Sequence, residues 1–182
     1  MMSGRPIAKS KARTKRGVYM VEAPIAMWLV FVFLLMPFVI MGSLALRTAF
    51  LYSAAKDGAH AAARAKTYSL GTAERPAAVV EAKESAERTG HSFTGVEIVS
   101  VDTKIVETNL ASGAESFVAG PLAQPADVSK NLYQLQVTVQ ANVEPLIRYQ
   151  LPFFGDVPGL TSAMKLTAVA SEMVENPDGL NK

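Results

Sequence analysis

The strongest pattern in the chain is an apolar run near its N-terminus. Residues 23–46 cover 24 positions without one charged side chain. At about 1.5 Å per residue, a helix of this length is roughly 36 Å long, which exceeds the ~30 Å hydrocarbon core of a bilayer. Large side chains such as Trp28, Phe33 and Phe38 leave it without a polar face, which disfavours a core helix of a soluble protein. The run therefore predicts a transmembrane helix.

A secretory signal peptide is the competing interpretation of the same run. Its apolar region is typically about 7–15 residues long and is followed by a cleavage site with small residues. The Ser-Leu-Ala sequence at residues 43–45 resembles such a site. The run is too long for an ordinary signal peptide, so a membrane anchor is favoured.

Charge gives the helix a direction. Residues 1–17 carry six Lys and Arg side chains and no acid, whereas only Arg47 follows the run at once. By the positive-inside rule, the N-terminus is cytoplasmic and the rest of the chain lies across the membrane. Removing these six bases from eighteen leaves twelve against sixteen acids, a net charge of −4. The basic character of the chain comes mainly from residues 1–17 and does not indicate a nucleic-acid partner.

The helical pattern continues past the apolar run. Residues 47–68 are rich in alanine, which favours helix, so one long helix is predicted over residues 18–68, with its transmembrane part at 23–46. A second helix is predicted over residues 77–88, after a Gly- and Pro-containing break. Val79, Val80 and Ala86 are its expected apolar side, and Gly90 is its expected stop signal.

Strand patterns dominate the remainder. Residues 131–143 form the clearest candidate: from residue 133 onward apolar and polar side chains alternate strictly, which predicts a strand with one buried and one wet face. Residues 96–106 and 164–174 are two further candidates. Long connections are expected at residues 111–127 and 144–160, and the tail at 176–182 is expected to fray. The predicted fold class is α+β: a long N-terminal transmembrane helix, a short helix and a small antiparallel sheet, with the α+β domain at residues 69–182.

The residues before the apolar run form a distinctive block. Lys15 and Arg16 precede Gly17, and Glu22 stands fifth after that glycine, directly before the run. An ionised group near hydrocarbon is costly unless paired, which makes Glu22 a candidate functional residue. A carboxylate at the headgroup boundary near a helix N-terminus is the alternative explanation. Position alone does not separate the two.

The block resembles the processing region of type IV pilin-like proteins, and its continuation is most similar to the TadE-like minor pseudopilins of tight-adherence (Flp) pilus systems. The resemblance implies a prepilin peptidase that recognises Lys15 and Arg16 and cuts between Gly17 and Val18, leaving a cytoplasmic leader of residues 1–17. It implies that Glu22 sets the register of assembled subunits. Tyr19 and Met20 depart from the small residues that are more usual there. Pro24, early in the helix, is a second departure, although proline is tolerated in a first turn.

The rest of the sequence shows no constellation that indicates catalysis. His60 and His91 are isolated from each other and from any metal-ligand spacing, and the glycines form no phosphate-binding loop. We therefore expect no enzyme, no cofactor and no metal. Phe153 and Phe154, in a Pro- and Gly-rich loop, are candidates for a subunit contact and equally for a plug at the edge of the sheet.

Together these features predict a prepilin peptidase substrate that acts in Flp pilus assembly. Its expected partners are the peptidase, other pilus subunits and the inner-membrane assembly platform, with no nucleic acid. The expected location is the inner membrane as a single-pass protein with a periplasmic C-terminal domain, and an extracellular pilus after assembly. The alternative is an uncleaved, signal-anchored envelope protein whose periplasmic domain binds a partner.

Overall fold

The computed structural model describes residues 16–146, 148 and 156–182, with side chains from residue 22 onward. The chain divides into two units, Met1–Val39 and Ile40–Lys182. Helix α1 (Arg16–Arg64) contributes residues to both. The second unit also holds helix α2 (Ala78–His91), a four-stranded sheet and a 3₁₀ turn at Pro177–Gly179. This arrangement of a long apolar helix, a short helix and an antiparallel sheet confirms the predicted α+β class.

The sheet consists of β1 (Val96–Asn109), β2 (Glu115–Val118), β3 (Asn131–Val143) and β4 (Met164–Met173). Their order is β2-β1-β3-β4, and every neighbouring pair is antiparallel. β1 carries a bulge between Ile98 and Ser100. The extra residue, Val99, is 58% exposed. β1 and β3 are the two inner strands of the sheet, and each is paired along both edges.

The alternation along β3 is confirmed. Every second residue from Tyr133 to Val143 is buried, whereas the intervening polar residues are half-buried or exposed. A strand has a side-chain period of two, so one face meets the core and the other meets water. Together with β1, this strand supplies most of the large buried side chains of the second unit, namely Ile105, Leu135, Val137, Val139 and Val143.

The helices contribute mainly small residues to that core. The buried side chains of α1 in this unit include five alanines, and those of α2 include three: Ala54, Ala55, Ala59, Ala62, Ala63, Ala78, Ala82 and Ala86. Gly58 lies where the helices approach, because a Cβ there would stand 3.0 Å from the carbonyl oxygen of Ala82. Small side chains therefore let the backbones of α1 and α2 lie close together.

The structure corrects the predicted limits of both helices. α1 ends at Arg64 instead of residue 68, because Tyr68 donates its backbone N–H to Gly179 and Thr67 accepts from Ala78. α2 continues through Gly90, which was expected to stop it. A Cβ on Gly90 would overlap the side chain of Ile98, so the glycine permits the helix to approach β1.

The predicted apolar side of α2 is confirmed for Ala86, which is buried, and is wrong for Val79 and Val80. Val79 and Val80 are 37% and 44% exposed. The buried face consists of Ala78, Ala82, Ala86 and Gly90. These residues are four apart and share one face of the helix. Small size, rather than hydrophobicity, marks the side of this helix that faces the core.

Arg47 joins α1 to one end of the sheet. Its guanidinium donates to the backbone carbonyl of Glu144, which directly follows β3. It also lies against Gly95, which directly precedes β1 and has φ +81°. A Cβ at Gly95 would lie 2.5 Å from the guanidinium carbon, so Arg47 would have to shift, and the positive φ favours glycine at this position.

Two segments that were expected to be irregular are ordered. The connection at residues 111–127 contains β2, which pairs with β1 over four residues. The tail, which was expected to fray, packs onto the domain: Leu180 is 2% exposed. Its carbonyl accepts the N–H of Leu122, and the carbonyl of Lys182 accepts the N–H of Ser69. The backbone hydrogen bonds of the tail therefore go to the two loops that it bridges.

The packed tail gives a testable stability effect. We expect Leu180→Ala to lower the free energy of unfolding by about 2–5 kcal/mol, because it removes a buried side chain and leaves a cavity. Leu110→Ala is the matched control: Leu110 is 59% exposed, and the change should stay within about 0.5 kcal/mol. Urea unfolding in mild detergent, followed by circular dichroism, measures both. Equal effects of the two substitutions would contradict the packed tail.

Candidate functional site

The first unit presents the most unusual surface among the described residues. From residue 22 to residue 39, α1 is almost entirely solvent-exposed in the isolated chain. Trp28 is 65% exposed and Phe38 is 70% exposed. The large apolar side chains that are open in this stretch point in all directions around the helix: Ile25, Met27, Trp28, Leu29, Val30, Phe31, Phe33, Leu34, Leu35, Phe38 and Val39.

This surface suits lipid better than water. The most apolar stretch of the helix has a mean hydropathy of 2.6 and is only 6% buried within the protein. A soluble protein would bury such a helix in its core, and an apolar patch of this extent marks a membrane or an interaction site. α1 is long and apolar enough to cross a membrane.

The residues predicted for processing lie at the start of α1. The helix begins at Arg16, so Gly17 and Val18 occupy its first turn, whereas Lys15 lies outside the described residues. The first four N–H groups of a helix have no partner within it.

Glu22 is one helical turn beyond Val18 and is solvent-exposed. Residues four apart lie on the same face of a helix. The structure thus brings the carboxylate and the predicted new N-terminus to one side of α1. Glu22 is also the last charged residue before the apolar surface begins.

Two prolines interrupt the hydrogen bonding of α1 without ending it. Pro24 and Pro37 both lie inside the helix. Pro24 is the ninth residue of α1, beyond the first turn where proline is easily accommodated. Because proline has no N–H, the backbone carbonyls of Met20 and Phe33 lack their usual helical donor. In a bilayer such carbonyls need donors from neighbouring helices, side chains or water.

The other predicted site residues do not come together. Phe153 and Phe154 lie outside the described residues, so their two proposed roles remain predictions. His60 and His91 are exposed on α1 and α2 respectively. In the described part of the chain, no group of three or more His, Asp or Glu side chains could hold a metal ion.

Sequence reasoning missed a polar cluster at the far end of β1 and β3. Glu107 accepts hydrogen bonds from the Asn131 amide at 2.5 Å and from the Tyr133 hydroxyl at 3.2 Å. The Tyr133 oxygen in turn accepts the backbone N–H of Asp127 at 3.0 Å. Tyr133 is 5% exposed. Alternation along β3 placed Tyr133 inside, but no sequence signal linked it to Glu107, 26 residues away.

Asp127 closes this cluster with its own ion pair. Its carboxylate accepts the Ser129 hydroxyl at 2.5 Å and lies 2.9 Å from the Lys130 ammonium. These hydrogen bonds, first from Ser129 and then from Lys130, lower the pKa of Asp127 to about 2. In turn, the Asp127 carboxylate raises the pKa of Lys130 through its hydrogen bond and its charge. The cluster satisfies its own donors and acceptors, so its role is to hold the loop before β3 against the sheet.

Comparisons of the chain with protein-family models, with curated proteins and with solved structures find no match.

The Asp127 cluster predicts a pH-dependent stability difference. The folded-state pKa of Asp127 is about 2, against an ordinary value of 3.8. Its contribution is therefore present above pH 3.8 and is lost as the pH falls through about 2. We expect Asp127→Asn to be less stable than the wild type at pH 7, and the difference to vanish near pH 2. Urea unfolding across this range measures it.

Glu115→Gln serves as the control, because it removes an exposed negative charge on β2 without touching the cluster. A stability gap between wild type and Asp127→Asn that is constant from pH 7 to pH 2 would contradict the assignment.

Proposed function

We propose that this protein is a TadE-like minor pseudopilin that is processed by a prepilin peptidase and acts in Flp pilus assembly. The observation that carries the proposal is the spacing of Gly17, Val18 and Glu22 directly ahead of an exposed apolar helix. A basic leader, a glycine, a carboxylate at the fifth position and such a helix are each common. Here they follow one another directly in the order that the resemblance implies.

The architecture supports the same proposal. α1 combines a stretch of exposed apolar surface with a C-terminal part that belongs to a small α+β unit. A subunit that first resides in a bilayer and later packs in a filament needs both.

The Glu22 carboxylate has a specific role in this proposal. Cleavage after Gly17 would create an α-amine on Val18, and such an amine has a pKa of about 8 and is mostly protonated at neutral pH. When helices bundle, Glu22 of one subunit pairs with the Val18 amine of a neighbour. An unpaired buried charge costs several kcal/mol, so this pairing selects one axial register.

The proposal defines partners and a location. The peptidase recognises the leader through Lys15 and Arg16, and other pilus subunits and the inner-membrane assembly platform receive the product. The leader faces the cytoplasm because it holds six positive charges and no acid. The α+β unit is then periplasmic, and extracellular once assembled. An uncleaved signal-anchored envelope protein would share this topology but would leave the Gly17-to-Glu22 spacing without a purpose.

Processing is the first test. We expect native membranes to contain a chain that begins at Val18, as intact mass and N-terminal sequencing would show, and we expect Gly17→Ala to remain the full precursor. Gly42→Ala is the matched control within α1, because a Cβ at Gly42 meets no atom within 4 Å. A wild-type chain that keeps residues 1–17 in cells with active peptidase would overturn the proposal.

Assembly is the second test. We expect Glu22→Ala to be cut normally but to reduce piliation at least about tenfold, since a tenfold change needs only 1.4 kcal/mol and an unpaired buried amine costs more. Glu84→Ala removes an exposed carboxylate from α2 and should leave piliation unchanged. Electron microscopy and sheared-pilus yield measure the outcome. Normal piliation by Glu22→Ala would exclude the register role.

A further inference from the structure

The loop that joins β3 to β4 is held at both ends against one short stretch of α1. At its start, the carbonyl of Glu144 accepts a hydrogen bond from Arg47. At its end, Gly159 packs beside Leu44, whose Cδ2 atom would lie 3.6 Å from a Cβ at that position. Both anchors belong to the second unit. The two ends of the loop are therefore level with residues 44–47 of the helix.

That level is where the apolar run ends. Residues 23–46 are uncharged and Arg47 is the first charged residue after them. A helix of 24 residues is about 36 Å long against ~30 Å of hydrocarbon, so its last residues lie at the headgroup boundary when it spans a bilayer. The anchors of the loop then lie at this boundary as well.

Apolar side chains are exposed beside both anchors. Leu146 is 57% exposed and Val157 is 41% exposed. Each is two residues from an anchor, Glu144 or Gly159, and two residues of chain span at most about 7 Å. On α1 itself, Met41 is one turn before Leu44 on the same face and is 65% exposed. We call Met41, Leu146 and Val157 the juxtamembrane patch.

Charges next to the patch limit how deep it can lie. Glu144 pairs with Arg148 at 2.8 Å on the surface. Hydroxyl donors, first Thr161 and then Ser162, lower the pKa of Asp156, which keeps its carboxylate ionised. Ionised groups are expensive in hydrocarbon and are tolerated among headgroups. This chemistry fits a shallow, interfacial position for the patch.

We propose that the juxtamembrane patch lies in the interfacial layer of the same bilayer that α1 spans, so that the folded domain rests on the membrane through Leu146 and Val157 as well as through its helix. The occupant of this surface is lipid. The patch is continuous with the end of a helix whose own exposed apolar side chains suit lipid. The inference goes beyond pilus assembly and holds for the precursor before any cleavage.

Tryptophan fluorescence with brominated lipid tests the proposal on the full-length chain. Trp28 is the single tryptophan, so wild-type quenching reports whether α1 is in the bilayer. Leu146→Trp and Val157→Trp are then made in a Trp28→Phe background and placed in phosphatidylcholine–phosphatidylglycerol vesicles. We expect both introduced tryptophans to emit at shorter wavelength than a tryptophan in water. We also expect bromine near the headgroup to quench their emission more than bromine near the chain terminus.

Phe117→Trp in the same background is the matched control. Phe117 is 58% exposed, like Leu146, but it pairs with Val106 on β1. Val106 is ten residues along the strand from the membrane-proximal end at Val96, which is roughly 30 Å at 3.3 Å per residue. We expect no quenching by either lipid at this position.

Three results would overturn the proposal. The first is quenching of Leu146→Trp and Val157→Trp no greater than that of Phe117→Trp. The second is a shift to shorter wavelength that grows with the protein-to-lipid ratio without lipid quenching, which would assign the patch to contact between copies. The third is unquenched Trp28 in the wild type, which would remove the bilayer premise. If one variant fails to fold by circular dichroism, the other position decides.

Discussion

The contact of Arg47 with the sheet sets the position of the folded domain on its helix. The guanidinium binds the carbonyl of Glu144 and rests on Gly95. Those two residues flank the first rung of the sheet, where Val96 pairs with Val143. A cation that directly follows 24 uncharged residues has to stay among headgroups or in water. One side chain therefore ties the end of the sheet to the end of the apolar run.

α1 changes its packing chemistry at this point. Before Arg47 its exposed side chains are large and apolar, and after it the buried ones are mostly alanine with Leu51. Large side chains suit a lipid surface, whereas alanines let the helix approach α2 and the sheet closely. The bulk of the core then comes from the strands, with Leu135, Val137 and Val139 almost fully buried. The small residues of the helix allow close packing, and the strands contribute most of the large buried apolar side chains.

Sequence patterns predicted the features that depend on long periodicities. The alternation of residues 131–143 located β3 to the residue, and the apolar run located the membrane-type stretch of α1. What they missed depends on contacts between distant segments. Gly90 was expected to stop a helix, but its lack of a side chain serves the contact with Ile98. The tail is mostly polar in sequence. Its order depends on burial of the Leu180 side chain and on backbone hydrogen bonds to distant loops. β2 has four residues, too few for a pattern.

The candidate functional residues show the same difference between local patterns and contacts of distant segments. The spacing of Gly17 and Glu22 is local and visible in the sequence, whereas the cluster around Glu107 and Tyr133 joins residues that are 26 positions apart. The sequence predicted a Pro- and Gly-rich connection at residues 144–160 but gave no indication of where its ends lie. Only the structure shows that the two ends of that loop meet α1 at Leu44 and Arg47.

Glu22 and Arg47 mark opposite ends of the uncharged stretch, and this explains why the carboxylate has to be judged by assembly. The two residues are 25 positions apart, about 38 Å along a helix, while the hydrocarbon core is ~30 Å thick. Both charges can then remain at the two interfaces, so an anchored subunit bears little desolvation cost for Glu22. Under the proposed pilus role, the cost would arise when the helix leaves the bilayer and its N-terminal part is enclosed by other helices. In that proposal, Glu22 carries little cost in the membrane and a large one in a helix bundle, so it would act on the transition between the two states.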